Sequence, residues 1–263
     1  MMTAEKPPLL DFHNLRVMRG QKVALDDFSL RIGAEEHVAI LGPNGCGKST
    51  LIKTITRECY PLARPDSSMS ILGEENWDVF ALRARLGIVS NDLMLSCTGD
   101  ACGRDVVLSG FFSSISIFSN HTVDARQREL ADAALAELKI EHLAERPVCE
   151  MSSGEARRVL IARALVHKPG ALLFDEPCNS LDLSAQLSLR QTMRALANSG
   201  TAIILVTHEL ADIVPEIQRV VLMSRGRVVA DGPKEEILRV ERLAALFGVE
   251  VEMALRDGHY HLW

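Results

Sequence analysis

The first third of the chain changes from a two-residue alternation to short apolar runs. Apolar and polar residues alternate over 9–32, with Gly20 available for a turn, which predicts a pair of antiparallel strands. An apolar run then covers 38–41, breaks into glycine-rich residues, and is followed by an apolar periodicity that begins at Leu51. This order predicts a strand, a loop and a helix.

The middle of the chain has a different character. Short strands are predicted at 69–72 and 86–89, and we expect a mostly helical insertion over about 92–165. Within it, Thr122 is a candidate cap for a helix whose Leu130, Ala134 and Leu138 share one face.

The final third alternates between buried strands and helices. Strands are predicted at 171–174, 202–206 and 220–223, with helices over about 184–198 and near Val214. A turn at 224–227 leads into a further strand, and a short helix starts at Lys234. Strands separated by helices favour an α/β fold with a largely parallel sheet covered on both faces.

Composition restricts the class of protein. Of 263 residues, 47% are hydrophobic and 24% are charged, which is typical of a globular chain and excludes disordered and collagen-like readings. The net charge of -6 gives no reason to expect a nucleic-acid partner. No apolar run approaches the roughly 20 residues of a membrane-spanning helix. The six cysteines form no CxxC pair and no signal-peptide pattern is visible, so we expect reduced thiols and a cytoplasmic location.

The glycine-rich break between the predicted strand and helix fits the pattern GxxxxGK[ST]. Glycines let backbone N–H groups turn toward a polyphosphate, and a helix N-terminus adds partial positive charge. Lys48 is expected to neutralise phosphate charge, and Ser49 to offer a hydroxyl to Mg²⁺. The predicted nucleotide-binding residues are Gly42, Pro43, Asn44, Gly45, Cys46, Gly47, Lys48, Ser49 and Thr50.

A second candidate element is an acidic pair at the end of an apolar strand. Asp175 and Glu176 follow the run 171–174, at the carboxyl end of a strand, where α/β sheets bind ligands. Asp175 is a candidate Mg²⁺ ligand, and Glu176 a candidate base for an attacking water. A solvated acid pair would explain the same residues, although less well beside a phosphate loop.

A third element is a helix start at Ser152. Ser152 and Glu155 have the S-x-x-E spacing of a capping box, which is by itself a sufficient structural reason for both residues. The same cap presents a hydroxyl, a glycine amide and a positive helix end, so it also suits a phosphate brought by a second molecule.

Together these elements resemble the ATP-binding cassette (ABC) ATPases over nearly the whole chain. Five motifs occur in the family's order: Walker A at 42–50, the signature at 151–155, Walker B at 172–176, the D-loop at 180–182 and the H-loop at 207–208. The resemblance implies a P-loop NTPase core with an N-terminal antiparallel β subdomain and a helical insertion. It also implies Mg²⁺-dependent ATP hydrolysis in a homodimer, or a pair of ABC subunits, that sandwiches two ATP molecules.

The resemblance also implies roles for individual residues. Lys48, Glu176 and His208 would be catalytic, with His208 contacting the γ-phosphate. Ser152, Ser153, Gly154 and Glu155 would contact the ATP of the partner subunit, and Asp182 would cross the dimer interface. A purely structural histidine at 208, and simple helix capping by Asp182, remain alternatives.

Three departures from the family pattern qualify the site. In the signature, Ser153 replaces the first glycine and Glu155 the terminal glutamine, whereas Ser152 and Gly154 are kept, so the phosphate contact is still implied.

Asn91 stands where the family usually has the Q-loop glutamine, and its amide is one methylene shorter. The contact with Mg²⁺ and the attacking water would therefore be weakened or bridged by a water, and the usual coupling of nucleotide state to a membrane partner is not implied for this chain. Arg19 stands where many members have an aromatic residue stacked on adenine. A guanidinium plane can stack on a base, and a solvated arginine at a hairpin tip is the alternative.

ATP hydrolysis by this chain has two candidate uses. The first is transport, with the chain as the ATP-binding subunit docked to a membrane permease near Asn91 to Phe118, at the inner face of the membrane. The second is a soluble ATPase without a permease, favoured by Asn91 and by a resemblance of 76–79 and 106–115 to the ModF/PhrA and YlmA-like subgroup.

We expect one ABC ATPase domain over 1–263. Its parts would be a β subdomain with the Walker A portion of the core (1–91), a helical subdomain (92–165), the rest of the core (166–232) and a C-terminal extension (233–263).

Overall fold

The computed structural model describes residues 6–90 and 101–263, and Asn91 lies outside these ranges. Helices and strands succeed one another along the described chain. They are β1 (Leu10–Arg19), β2 (Lys22–Ile32), β3 (Val38–Leu41), α1 (Lys48–Ile55), β4 (Ser68–Ile71), α2 (Val79–Arg85), β5 (Leu86–Val89), α3 (Gly103–Ser109), α4 (Ala125–Glu137), α5 (Ser153–Leu165), β6 (Ala171–Asp175), α6 (Leu183–Asn198), β7 (Ala202–Thr207), β8 (Arg219–Ser224), β9 (Arg227–Pro233), α7 (Lys234–Ile237), α8 (Val240–Phe247), β10 (Met253–Arg256) and β11 (His259–Leu262).

The chain forms two compact units. The first contains residues 1–79 and 202–263, and the second contains 80–201. None of the helices within 6–90 and 101–263 combines the length and the apolar character needed to span a bilayer.

The first unit contains an antiparallel sheet in which β1 lies between β2 and β4. The alternation of 9–32 becomes two faces of this sheet, because successive side chains of a strand point to opposite sides. Leu10, Leu15, Leu25 and Phe28 are fully buried, whereas the polar residues between them are less buried. The predicted strand pair is therefore confirmed.

The first unit also contains a mixed sheet that carries the phosphate loop. In it β3 lies between β7 and β8 and is parallel to both, while β9 pairs antiparallel with β8. All residues of β3 and β7 are buried, as expected for central strands with both faces covered. The loop between β3 and α1 thus starts from a rigid strand end.

The second unit packs helices against a parallel strand pair, β5 and β6. Helix α5 contacts α3, α4 and β5. Two glycines permit this close packing. A Cβ on Gly87 would lie 2.7 Å from the carbonyl oxygen of Ala164, and one on Gly110 would lie 2.7 Å from the carbonyl oxygen of Arg163. Larger residues at these positions would push α5 away from its neighbours.

Two predictions of the local structure were wrong. Helix α4 is capped by Asp124, which accepts a bond from the amide of Gln127, and not by Thr122. The predicted helix near Val214 is instead a 3-10 turn at Leu210–Asp212. Pro215 explains the second difference, because a proline disfavours the helical conformation of the residue before it.

Candidate nucleotide-binding and hydrolysis site

The phosphate loop, residues 42–50, has the backbone geometry of an anion cradle. Gly45 and Gly47 have φ angles of 79° and 115°, which L side chains rarely adopt. Gly47 caps α1 without a side chain, and the first turn of the helix carries no acidic residue. No side chain of the cap therefore occupies the first N–H groups of α1, and the partial positive charge of the helix N-terminus is available to an anion.

Lys48 is held at the mouth of this loop by the loop itself. The side chain is 6% exposed, and its Nζ donates to the carbonyl oxygens of Gly42 at 2.7 Å and Pro43 at 3.3 Å. An ammonium group held within the phosphate loop at the start of α1 suits a polyphosphate, because its charge adds to the helix dipole.

Contacts with β8 and with the turn that follows it hold the phosphate loop in place. A Cβ on Gly42 would lie 2.3 Å from the carbonyl oxygen of Met223. The carbonyl oxygen of Cys46 accepts a 2.7 Å bond from the amide of Gly226, whose own carbonyl accepts from the amide of Asp26. Cys46 is 5% exposed, so its small side chain fills the loop.

The carboxyl end of β6 carries the acidic pair in a strained turn. Asp175 ends the strand and is half-buried, and Glu176 follows with a φ of 45°. The carbonyl oxygen of Glu176 accepts from the amide of Asn179 at 3.1 Å. A non-glycine residue with positive φ costs roughly 1–3 kcal/mol and persists when the surroundings enforce it, often at functional sites.

A buried arginine on α5 lies near Asp175. Arg157 lies on α5 and is 2% exposed. Burial lowers the pKa of its guanidinium, and the nearby Cys178 and Asp175 act in the opposite direction. Arginine remains charged in proteins, so a positive charge lies near the carboxylate of Asp175. No local sequence pattern marks this residue, apart from its position just after the signature.

The start of α5 confirms the predicted capping box. The amide of Glu155 donates to Ser152 Oγ at 3.2 Å, and the amide of Ser152 donates to Glu155 Oε2 at 2.8 Å. These bonds to Ser152 lower the pKa of Glu155, and Arg146 adds to the effect from 3.1 Å. Ser152 itself is exposed.

Two further contacts order the second unit around this cap. A Cβ on Gly154 would lie 2.8 Å from that of Ala185, so this position requires a glycine. Asp182 caps α6 by accepting a 2.8 Å bond from the amide of Ala185. Ser153 and Asp182 are both exposed.

His208 follows the last residue of β7 in the first unit. Its side chain is 29% exposed, and Nε2 lies 3.6 Å from a carboxylate oxygen of Glu209. Arg19 ends β1 beside the turn at Gly20 and is exposed.

The aromatic segment, residues 111–118, has inward and outward members. Phe111 packs edge-on against His167, and Phe112 stacks on His121 with ring centroids 4.2 Å apart. Ile115 and Phe118 are 42% and 50% exposed. Both adjacent phenylalanines thus pack within the unit, and the exposed apolar surface lies further along the segment.

The oxygen donors proposed for Mg²⁺ fit its chemistry. Mg²⁺ prefers oxygen ligands and is usually held by one or two carboxylates together with substrate phosphates. Ser49 offers an exposed hydroxyl and Asp175 a carboxylate. Within 6–90 and 101–263, no three His, Cys, Asp or Glu side chains group as a metal site made from protein alone would require.

The order and spacing of these elements correspond to one family. Residues 25–179 match the family model described as ABC transporter. The chain belongs to the ABC transporter family. It is an ATP-binding subunit of that family and an ATPase, as the sequence predicted.

Relatives cover almost the full length of this ABC subunit. The hemin import ATP-binding protein HmuV of Bradyrhizobium diazoefficiens is 32% identical over 95% of this chain and 92% of its own. The uncharacterized ABC transporter ATP-binding protein YlmA of Bacillus subtilis is 30% identical over 93% of each chain. The match to YlmA accords with the predicted YlmA-like features, whereas the ModF/PhrA resemblance stays a prediction.

Solved structures confirm the predicted ABC ATPase fold. The ATP-binding cassette MJ0796, in a dimeric post-hydrolysis state bound to ADP and Pi, superimposes with a TM-score of 0.70. The match covers 85% of this chain and 98% of that chain at 23% identity, which shows the fold alone.

Proposed function

We propose that this ABC ATPase powers an importer, hydrolysing ATP with Mg²⁺ as a head-to-tail dimer bound to a membrane permease. We treat residues 1–263 as one ABC ATPase domain working at the cytoplasmic face of that membrane. The observation that best supports the proposal is that the Ser152 hydroxyl caps α5 and yet remains accessible to a second molecule. Its oxygen accepts the amide of Glu155 while the residue stays exposed.

The capped helix end suits the γ-phosphate of a partner's ATP. A serine hydroxyl that accepts one bond still has its own O–H to donate, so capping and phosphate binding are compatible. The N-terminus of α5 adds partial positive charge. Ser153, Gly154 and Glu155 belong to the same cap, and Gly154 brings α5 against Ala185.

Exposed leucines next to Asp182 support self-association. Leu183 and Leu187 lie one turn apart at the start of α6 and are 70% and 50% exposed. Large apolar side chains gathered at a protein surface often mark an interface. In the proposed dimer Asp182 lies at this interface, and MJ0796 provides a dimeric example of the fold.

Within one subunit we assign the chemistry as follows. The amides of 42–50 and Lys48 hold the phosphates, with Arg19 at the base. Ser49 and Asp175, with Asn91, hold Mg²⁺, which would neutralise phosphate charge when bound. Glu176 positions and deprotonates the attacking water, and His208 contacts the γ-phosphate.

Import is favoured by the relatives. HmuV is named as an import ATP-binding protein and aligns over nearly all of both chains. The permease would dock near Asn91 to Phe118, where Ile115 and Phe118 present exposed apolar surface on the described part of that segment.

A soluble ATPase without a permease is the second candidate. It is favoured by Asn91, whose short amide is poorly suited to the usual coupling contact, and by the resemblance of 76–79 and 106–115 to the ModF/PhrA and YlmA-like subgroup.

One experiment separates the two candidates. The chain is tagged in its native cell, membranes are solubilised in mild detergent, and stoichiometric partners are identified. A multi-span protein recovered in equal amount supports the importer, and its loss in a variant carrying Ile115→Ser and Phe118→Ser supports the docking site. A homodimer recovered from the soluble fraction, with undiminished ATPase activity, supports the second candidate.

A further inference from the structure

We propose that Thr207 and Asp212 are positioning residues that fix the orientation of His208, and that the C-terminal hairpin, residues 252–263, holds them in place. The functional consequence rests on the role proposed for His208 in hydrolysis. All the contacts that carry the positioning role lie within the first unit.

The Thr207 hydroxyl links the residues on either side of His208 and ties them to Asp212. Its Oγ1 accepts a 3.0 Å bond from the amide of Glu209 and donates a 3.2 Å bond to Asp212 Oδ2. His208 is the residue between the two backbone positions that this hydroxyl joins. The direction in which its side chain leaves the strand end is therefore set by the Thr207 bonds.

Asp212 is an unusual residue for its location. It ends the 3-10 turn Leu210–Asp212 and is 2% exposed. Burying a carboxylate is costly unless it is hydrogen-bonded, so a structural reason for it is required. Its bond to Thr207 ties the turn to the end of β7. Leu210 and Ile213, at 2% and 1% exposure, fix the turn from its apolar side.

The C-terminal hairpin packs on this turn. Strand β11 contacts Leu210–Asp212, and Tyr260 in that strand is 7% exposed. At the tip of the hairpin, a Cβ on Gly258 would lie 2.9 Å from Cγ of Pro215. The ends of the hairpin are closed by Glu252 and Trp263, whose backbones exchange hydrogen bonds of 2.8 and 3.1 Å.

The packing makes the hairpin and the turn depend on each other. A two-stranded hairpin is marginally stable alone, so this one is ordered by its contact with the turn. Conversely, the 3-10 turn would lose apolar contacts if the hairpin moved away from it. Displacing the turn would move Asp212, release the Thr207 hydroxyl and change the position of the His208 ring. We expect such a change to slow hydrolysis and to leave ATP binding intact, because the phosphate loop is held by other contacts.

The first test compares Thr207→Val with Thr207→Ser in the full chain. Valine keeps the branched shape and loses both hydrogen bonds, whereas serine keeps the hydroxyl. The His208 ring resonance is followed by NMR with labelled histidine and assigned as the peak missing from His208→Gln. We expect Thr207→Val to move this resonance and to lower kcat about tenfold with KM for ATP nearly unchanged. Thr207→Ser should restore both.

The second test addresses the hairpin. Tyr260→Ala removes the buried ring, and Tyr260→Phe is the matched control that keeps it. We expect Tyr260→Ala to shift the His208 resonance in the same direction as Thr207→Val, and Tyr260→Phe to leave it in place. Far-UV circular dichroism and the resonances of the other histidines establish that each variant is folded.

The outcomes separate this proposal from the proposed function. An unmoved His208 resonance in folded Thr207→Val overturns the positioning role, whatever the rate of hydrolysis. An unmoved resonance in folded Tyr260→Ala overturns the role of the hairpin. Full activity in His208→Gln instead removes His208 from the proposed chemistry, while the resonance shifts still decide the positioning. If Thr207→Val does not fold, Asp212→Leu tests the same bond by the same readout.

Discussion

Ser152 and Glu155 bind each other reciprocally across the first turn of α5, with each backbone amide donating to the other's side chain. The arrangement satisfies two amides that the helix itself leaves without partners. It also fixes the serine hydroxyl at the exposed helix end. The same pair of residues therefore forms the helix cap and the proposed phosphate contact.

Removing the Ser152 hydroxyl should separate these two roles. Ser152→Ala is expected to lower the free energy of unfolding by about 1 kcal/mol, the usual cost of losing a serine cap. We expect ATP binding by the monomer to persist and hydrolysis to fall far more than this stability loss explains. Urea unfolding, binding of a fluorescent ATP analogue and phosphate release measure the three quantities. Ser152→Thr is the control, and an active Ser152→Ala would contradict the phosphate role.

Glu155 gives the stability a predictable pH dependence. Its pKa in the folded state lies below the ordinary value of 4.5. The carboxylate therefore stabilises the fold above that pH, and this contribution is lost as the pH falls through the folded pKa. Glu155→Gln keeps an acceptor and lacks the charge. We expect the stability difference between wild type and Glu155→Gln to shrink as the pH is lowered from above 4.5 to well below it in urea unfolding; a constant difference would show that the charge has no part in it.

Replacing the proposed base should trap the dimer. Glu176→Gln preserves the size of the side chain and cannot accept a proton from water, so turnover should be lost while ATP binding continues. Gel filtration with ATP and Mg²⁺ should then show a dimer. Asp182→Asn within the same variant should weaken that dimer if this residue lies at the interface. Unchanged hydrolysis in Glu176→Gln would remove Glu176 from the mechanism.

The phosphate loop offers a matched pair of glycine substitutions. At Gly47, alanine would combine a φ of 115° with a Cβ 2.8 Å from the carbonyl oxygen of Ala24. At Gly45 the φ is 79° and no atom lies within 4 Å of the added Cβ. We expect Gly45→Ala to cost about 1 kcal/mol of stability and Gly47→Ala at least about 2 kcal/mol with loss of ATP binding. Equal effects in thermal unfolding and nucleotide binding would show that the contact with Ala24 is unimportant.

Local signals explain which elements were predictable. The strand at 38–41 and the loop after it could be predicted because an apolar run and a glycine pattern act within a few residues. The cap at Ser152 was predicted for the same reason. The cap of α4 was misplaced, since Thr122 and Asp124 are both acceptable caps and only the backbone decides between them.

Other contacts were beyond the reach of a single sequence. Asp212 looked like an ordinary polar residue, yet it is buried, and its 3-10 turn packs against β11, which lies about fifty residues later in the chain. Likewise, it is the packing of α5 that places the charge of Arg157 near Asp175. A spacing of T-H-x-x-x-D was visible, but no local rule links those side chains.

By itself the sequence determined the family, the order of the motifs and the residues able to carry the chemistry, because glycine conformations, caps and strand-end carboxylates act over short stretches of chain. Only the tertiary structure decided which groups support those residues, such as Met223 beneath Gly42 and Ala185 beside Gly154. These partners are distant along the chain, and their positions follow from close packing, which no local pattern encodes.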